Sequence, residues 1–246
     1  MENKLFRCTF TGVDEKTSID EINNLTKEFP FVEWGILLST SENSFLGKSR
    51  YPSLNWLNEN LPKLKNVANT YNSSIALHVC GKETKELLAQ SENSIALGLL
   101  PFVNRVQINF FYKEHQIEQL EKLCEKFPHI NFITQHNNKN TDLYKKISSE
   151  NHQILFDQSG GRGIETTNWE SPLENKVCGY AGGLGPNNIS EQIELIKNVA
   201  DRQFWIDMEG KIRTEDFLDL NLCREVLEKV QIACFSHCQS NKKKIS

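Results

Sequence analysis

The chain reads as an α/β protein, a single (β/α)8 barrel spanning residues 1–246. Three observations predict this. Apolar strand-like runs alternate with amphipathic helical runs from end to end, eight of each, the sixth helical run being weak. The second half carries three apolar runs that each end in a glycine-rich polar loop: Ile154-Leu-Phe-Asp-Gln-Ser-Gly-Gly-Arg-Gly163, Val177-Cys-Gly-Tyr-Ala-Gly-Gly-Leu-Gly-Pro-Asn-Asn188 and Phe204-Trp-Ile-Asp-Met-Glu-Gly210. The length of 246 residues, with no low-complexity linker, suits one barrel better than two small domains.

Taken in order, strands are expected at Leu5–Phe10, Val32–Leu38, Ser74–Val79, Arg105–Phe111, Ile130–Thr134, Gln153–Phe156, Val177–Tyr180 and Gln203–Asp207. Helices are expected at Ser18–Glu28, Leu54–Thr70, Glu83–Ala89, His115–Lys126, Thr141–Ser149, Ser190–Val199 and Leu220–Ala233, where apolar residues recur at three- and four-residue spacing. Thr17-Ser-Ile-Asp supplies capping groups with a carboxylate in the first turn, and Ser190 precedes Glu191 and Gln192 after a Pro-Asn-Asn turn. Two stretches depart from the repeat. Residues 39–53 form a long polar segment suited to a loop on the catalytic face. Asn93–Val103, around Gly98 and Pro101, is apolar and extends the third helix or packs under it.

Composition narrows the function. Hydrophobic residues make up 38% and charged residues 24%, enough apolar material for a full core. A net charge of −4 argues against nucleic acid or a membrane surface as partner, because both need a concentrated basic field, which the Lys242–Lys244 tail does not supply. The opening residues lack the apolar run of a signal peptide and no later run is long enough to cross a bilayer, so a cytoplasmic protein is expected. Seven cysteines, an odd count, argue against a disulfide framework. The sequence leaves the choice between monomer and homodimer open.

In a parallel barrel, ligands sit at the carboxyl ends of the strands. Asp157 closes the sixth run beneath Gly160, Gly161 and Arg162, where an acid can transfer protons or order a ligand hydroxyl; as plain structure it would cap loop amides. Asp207 ends the eighth run with the same two readings. Gly182 and Gly183 before a helix offer bare amides to an anion, and the eighth loop adds Gly210 with Lys211 and Arg213 nearby, so these loops are the candidate phosphate grip; tight turns are the simpler explanation. Arg50 could clamp a carboxylate or phosphate, or be merely solvated. Cys8, late in the first strand, could act as a base if its thiol is activated, or pack as a small hydrophobe. His78, Cys80, His136 and Asp157 are of types that zinc prefers, but none pairs closely on one helix, and no metal or organic cofactor is expected.

Together these positions resemble the phosphoribosylanthranilate isomerase family of tryptophan biosynthesis, a TIM barrel. Ala181-Gly-Gly-Leu-Gly-Pro-Asn-Asn-Ile189 is similar to that family's Ser-Gly-Gly-Leu-Asn-Pro-Glu-Asn-Val, and Phe156-Asp-Gln-Ser-Gly-Gly-Arg-Gly163 with Trp169 resembles its strand-six segment. Lys48-Ser-Arg-Tyr-Pro-Ser53 looks like its Ser-Lys-Arg-Tyr-Ile-Ser. The resemblance implies Asp157 as general acid, Cys8 as general base and Arg50 on the substrate's aromatic carboxylate. It further implies an Amadori rearrangement of a phosphorylated, N-linked ribose as the reaction. Two departures stand out. The family's Lys-Ile-Cys-Gly is here Arg7-Cys-Thr-Phe, and its Asp-Val-Ser-Ser-Gly-Val-Glu is here Asp207-Met-Glu-Gly-Lys-Ile-Arg, which sets Glu209 toward a phosphate unless Lys211 or Arg213 offsets it. A catalytically silent barrel that binds a phosphorylated metabolite, and a metal-dependent barrel hydrolase or isomerase, are the competing expectations.

Overall fold

The computed structural model describes residues 4–39, 50–109, 114–137, 140, 142–157, 165–166 and 168–235. Eight parallel strands close into a barrel in chain order: β1 (Leu5–Thr11), β2 (Val32–Ser39), β3 (Ser74–Cys80), β4 (Arg105–Asn109), β5 (Asn131–His136), β6 (His152–Phe156), β7 (Cys178–Ala181) and β8 (Phe204–Met208). Around them, among the described residues, lie α1 (Ile19–Glu28), α2 (Leu54–Tyr71), α3 (Lys82–Leu88), α4 (Ile95–Leu99), α5 (Glu114–Lys126), α6 (Ile189–Val199) and α7 (Leu220–Phe235). None of the described helices is long and apolar enough to cross a membrane.

Local chemistry sets the helix starts. Ser18 and Ser53 accept hydrogen bonds from the amides of Glu21 and Trp56, each at 3.3 Å, satisfying donors that the first helical turn leaves open. Asp219 does the same for Asn221 at 2.9 Å and Leu222 at 3.3 Å, which fixes the start of α7. The apolar stretch near Gly98 is a separate short helix, α4, whose cap Ser94 donates to the buried carboxylate of Glu83 at 2.7 Å.

The helix expected over Thr141–Ser149 is reduced to a single 3-10 turn, Leu143–Lys146. Competing partners explain this. The Glu121 carboxylate takes the Ser148 amide and the Ser149 hydroxyl, and Lys176 donates to the carbonyls of Ile147 at 2.9 Å and Ser149 at 3.2 Å. The Ser148 amide is therefore unavailable to a helical ladder, and Lys176 holds the Ile147 and Ser149 carbonyls on an extended path toward β6.

Strand side chains alternate between two environments. One set, including Phe10, Trp34, Ile36, Val79 and Phe132, packs into the main hydrophobic core. The other set fills the barrel, and its lower part is polar. There the Arg105 guanidinium lies 2.7 Å from Glu33, bonds Gln153 through two nitrogens at 2.8 and 3.2 Å, and stacks 4.0 Å from the centre of the Trp205 ring. Thr9 donates to the same Glu33 oxygen at 2.8 Å. Trp205 fits because β7 has glycine opposite it: a Cβ on Gly179 would lie 2.1 Å from the indole.

Arg105→Met leaves Glu33 buried without its cation, which is expected to lower the unfolding free energy by about 3–5 kcal/mol. Adding Glu33→Leu is expected to restore at least half of that loss. Urea denaturation of the single and double variants measures both.

Candidate active site

The carboxyl ends of the strands surround a pocket of about 800 Å³, open mouth included. Asp157 follows β6 and is 4% exposed; Gln135 on β5 donates to its Oδ2 at 3.0 Å. Asp207 on β8 is 6% exposed, and Thr11 at the end of β1 donates to its Oδ1 at 2.8 Å. Burial above all pushes the Asp207 carboxyl up to about 7, against the Thr11 hydrogen bond, with Glu33, Glu209 and Asp157 adding like charge. Asp207 is thus poised to hold a proton near neutral pH.

His78 on β3 lies 3.3 Å from Thr11 through Nε2. Burial lowers its pKa to about 4, so it stands in the pocket as a neutral ring. With the Thr11 proton directed at Asp207, the hydroxyl oxygen accepts from the imidazole, giving the row His78, Thr11, Asp207. Gln107 and Asn109 on β4 complete this wall, joined by a 3.0 Å bond from Gln107 Nε2 to Asn109 Oδ1.

Of the residues singled out in the sequence, Asp157, Asp207, Arg50, Gly182, Gly183 and Gly210 line this pocket. Gly160, Gly161 and Arg162 lie outside the described residues. Cys8 and Arg213 do not line it. Cys8 has the opposite strand parity from Thr9 and Thr11, is 0% exposed, and belongs to the core between barrel and helices. Burial above all raises its thiol pKa well above the ordinary value, and Cys223 of α7 and Asp207 push it the same way. A deeply buried thiol with acids rather than cations around it is not an activated base. Arg213 is likewise committed inward: its guanidinium donates to the Gly12 carbonyl at 2.8 Å and to Asp14 at 2.9 Å, tying the first loop to the eighth. It begins a two-stranded hairpin, β9 (Arg213–Thr214) and β10 (Phe217–Leu218).

Arg50 is the group that offsets Glu209. It holds Glu209 at 2.5 Å with one guanidinium nitrogen and Asp216 with the other. Lys211 lies 3.3 Å from Glu165. Gly183 adopts φ +61°, and a Cβ there would come within 2.7 Å of the Glu165 backbone, so this glycine serves the turn whatever else it binds.

Thr11, Gln107, Asn109 and Gln135 were not singled out in the sequence. Their signal was present: Arg105, Gln107 and Asn109 place polar groups at every second position of an apolar strand, which is the inward parity. Of the candidate metal ligands, His78 and Asp157 share the pocket, Cys80 accepts from Asn109 at 3.3 Å, and His136 faces Tyr144 and Phe156 on the outer side of β5. Among the described residues no group of three or more His, Cys, Asp and Glu side chains is arranged to hold a metal ion.

Searches with the sequence match no family model and no curated protein. The fold has solved counterparts. A monomeric form of phosphoribosylanthranilate isomerase from Thermotoga maritima superposes with a TM-score of 0.56 at 15% identity, covering 92% of this chain and 98% of that one. N-(5'-phosphoribosyl)anthranilate isomerase from Pyrococcus furiosus gives 0.55 at 12% identity, covering 92% and 99%. D-psicose 3-epimerase from Clostridium cellulolyticum gives 0.51 at 11%, covering 92% and 98%. At these identities the likeness establishes the (β/α)8 barrel and nothing finer.

Two outcomes follow. Cys8→Ala is expected to leave pocket chemistry within twofold of the parent while costing about 1–2 kcal/mol of stability for the lost packing; turnover and urea titration check the two parts. For Asp207, the folded pKa of about 7 exceeds the ordinary carboxylate value of about 4. Native protein therefore binds the extra proton between those values, and the stability from this group, fully present below about pH 4, is lost as pH rises through 7. Asp207→Asn is expected to flatten that limb of the unfolding free energy against pH.

Proposed function

We propose that the chain is an intramolecular aldose–ketose isomerase that acts on a phosphorylated sugar amine by general acid–base catalysis, in the manner of an Amadori rearrangement. The observation that carries this reading is the pair of buried aspartates on one pocket with different partners, Asp207 proton-holding beside the Thr11 hydroxyl, Asp157 accepting from the Gln135 NH2 group. Enzymes separate acid and base roles through such differences.

In this scheme Asp207 gives its proton to the ring oxygen as the C1–O bond breaks, leaving an iminium at C1. Asp157 removes the C2 proton, and the electron pair of that bond moves to form the enolamine. Asp157 then returns that proton to C1 as the C2 hydroxyl gives its own to Asp207, which leaves the ketone at C2 and restores both carboxyl groups. Asp157 takes the base role that the resemblance gave to Cys8, and the acid role passes to Asp207. The glycines that line the pocket, Gly182, Gly183 and Gly210, suit a phosphate at the rim.

One observation favours a second reading, a barrel that binds a phosphorylated metabolite without turning it over. Glu209 and Asp216 occupy the Arg50 guanidinium, so it is not free to clamp a substrate carboxylate.

The test is isomerisation of N-(5'-phosphoribosyl)anthranilate and of ribose 5-phosphate in D2O, followed by NMR. Deuterium incorporation at C2 or C1 that falls about 100-fold or more in Asp157→Asn and in Asp207→Asn supports the isomerase. Binding without incorporation in the parent protein supports the silent barrel.

A further inference from the structure

Apart from its carboxylates, the polarity of the pocket is carried by neutral groups. Among the described residues its two cations already have carboxylate partners, Arg50 on Glu209 and Asp216 and Lys211 on Glu165. The opposite wall is built from Gln107, Asn109 and Gln135, contributed by adjacent strands. Each amide carries both a donor and an acceptor.

Gln107 supplies the decisive detail. It is 4% exposed, its Nε2 is spent on Asn109, and its Oε1 is buried with no hydrogen-bond partner among the described residues. Asn109 in turn spends its Nδ2 on the Cys80 sulfur at 3.3 Å, a weak acceptor. A buried acceptor left unmatched is costly, and a ligand that brings a donor to it recovers that cost. A carboxylate brings only acceptors. Seating one on Arg50 would also displace Glu209 into the field of Asp157 and Asp207. A hydroxyl both donates and accepts, which is what this wall requires.

We propose that the pocket selects a polyol, reading neutral hydroxyl groups through Gln107, Asn109 and Gln135, and that Arg50 is a fixed strut between the second and eighth loops instead of an anion clamp. This deepens the isomerase reading and rests on it for the location of the site. It replaces the aryl carboxylate end of the substrate with a hydroxylated chain.

Calorimetric titration of the full chain with ribitol 5-phosphate, inorganic phosphate and anthranilate tests it. Ribitol 5-phosphate is expected to bind at least about tenfold more tightly than inorganic phosphate, and anthranilate is expected not to compete with it. Gln107→Leu is expected to weaken ribitol 5-phosphate about tenfold while inorganic phosphate binds as before. Should that variant fail to fold by circular dichroism, Gln135→Met carries the same expectation. Ribitol 5-phosphate binding no tighter than phosphate, displacement by anthranilate, or an unchanged affinity in a folded variant would each overturn the proposal. Tight polyol binding by a parent protein that exchanges no deuterium supports it and removes only the isomerase reading.

Discussion

The two-residue period of the barrel strands is the constraint on which the rest of this structure depends. Closure leaves each side chain a choice of two environments, the helix layer outside or the interior that opens on the pocket, and one step along the strand exchanges them. Thr9 and Thr11 look inward at Glu33 and Asp207, while Cys8 between them is sealed against the helices. The site is therefore drawn from one parity class of each strand.

That class is unusually polar here. A barrel interior is commonly filled by layers of branched aliphatics, whereas this one holds a buried Glu33–Arg105 pair braced by Thr9, Gln153 and the Trp205 ring. Burying charge is tolerated because every guanidinium nitrogen that approaches the cluster finds an acceptor and the aromatic face shields the rest. Its influence reaches upward. The Glu33 charge adds to the burial that keeps a proton on Asp207, so the floor of the barrel contributes to the acid–base character of its mouth.

Charge at the rim is balanced within the protein. Arg50, Glu209 and Asp216 connect the second loop to the eighth, and Arg213 with Asp14 connects the eighth to the first. Side chains that look like anion receptors in a linear reading thus act as ties between loops. What remains facing the cavity is a set of amides, a neutral imidazole and two aspartates, a surface matched to hydroxyl groups and proton transfer more than to a second anion.

By itself the sequence determined the alternation of strands and helices, the closed barrel and the loops that bound the pocket, because these follow from hydrophobic period and glycine placement along the chain. It also marked Asp157, Asp207 and the Gly182-Gly183 turn, which sit where any barrel puts its strand ends. Tertiary structure alone decided which residues meet. Cys8 was turned into the core by a parity that a one-residue uncertainty in strand register conceals, and Arg50 and Arg213 were paired with carboxylates more than a hundred residues distant in the chain. The 3-10 turn in place of the helix expected over Thr141–Ser149 was decided by Glu121 and Lys176, which bind the Ser148 amide and the Ile147 carbonyl from neighbouring elements. Periodicity is a local property, whereas the partner of a charge is fixed only when the barrel closes.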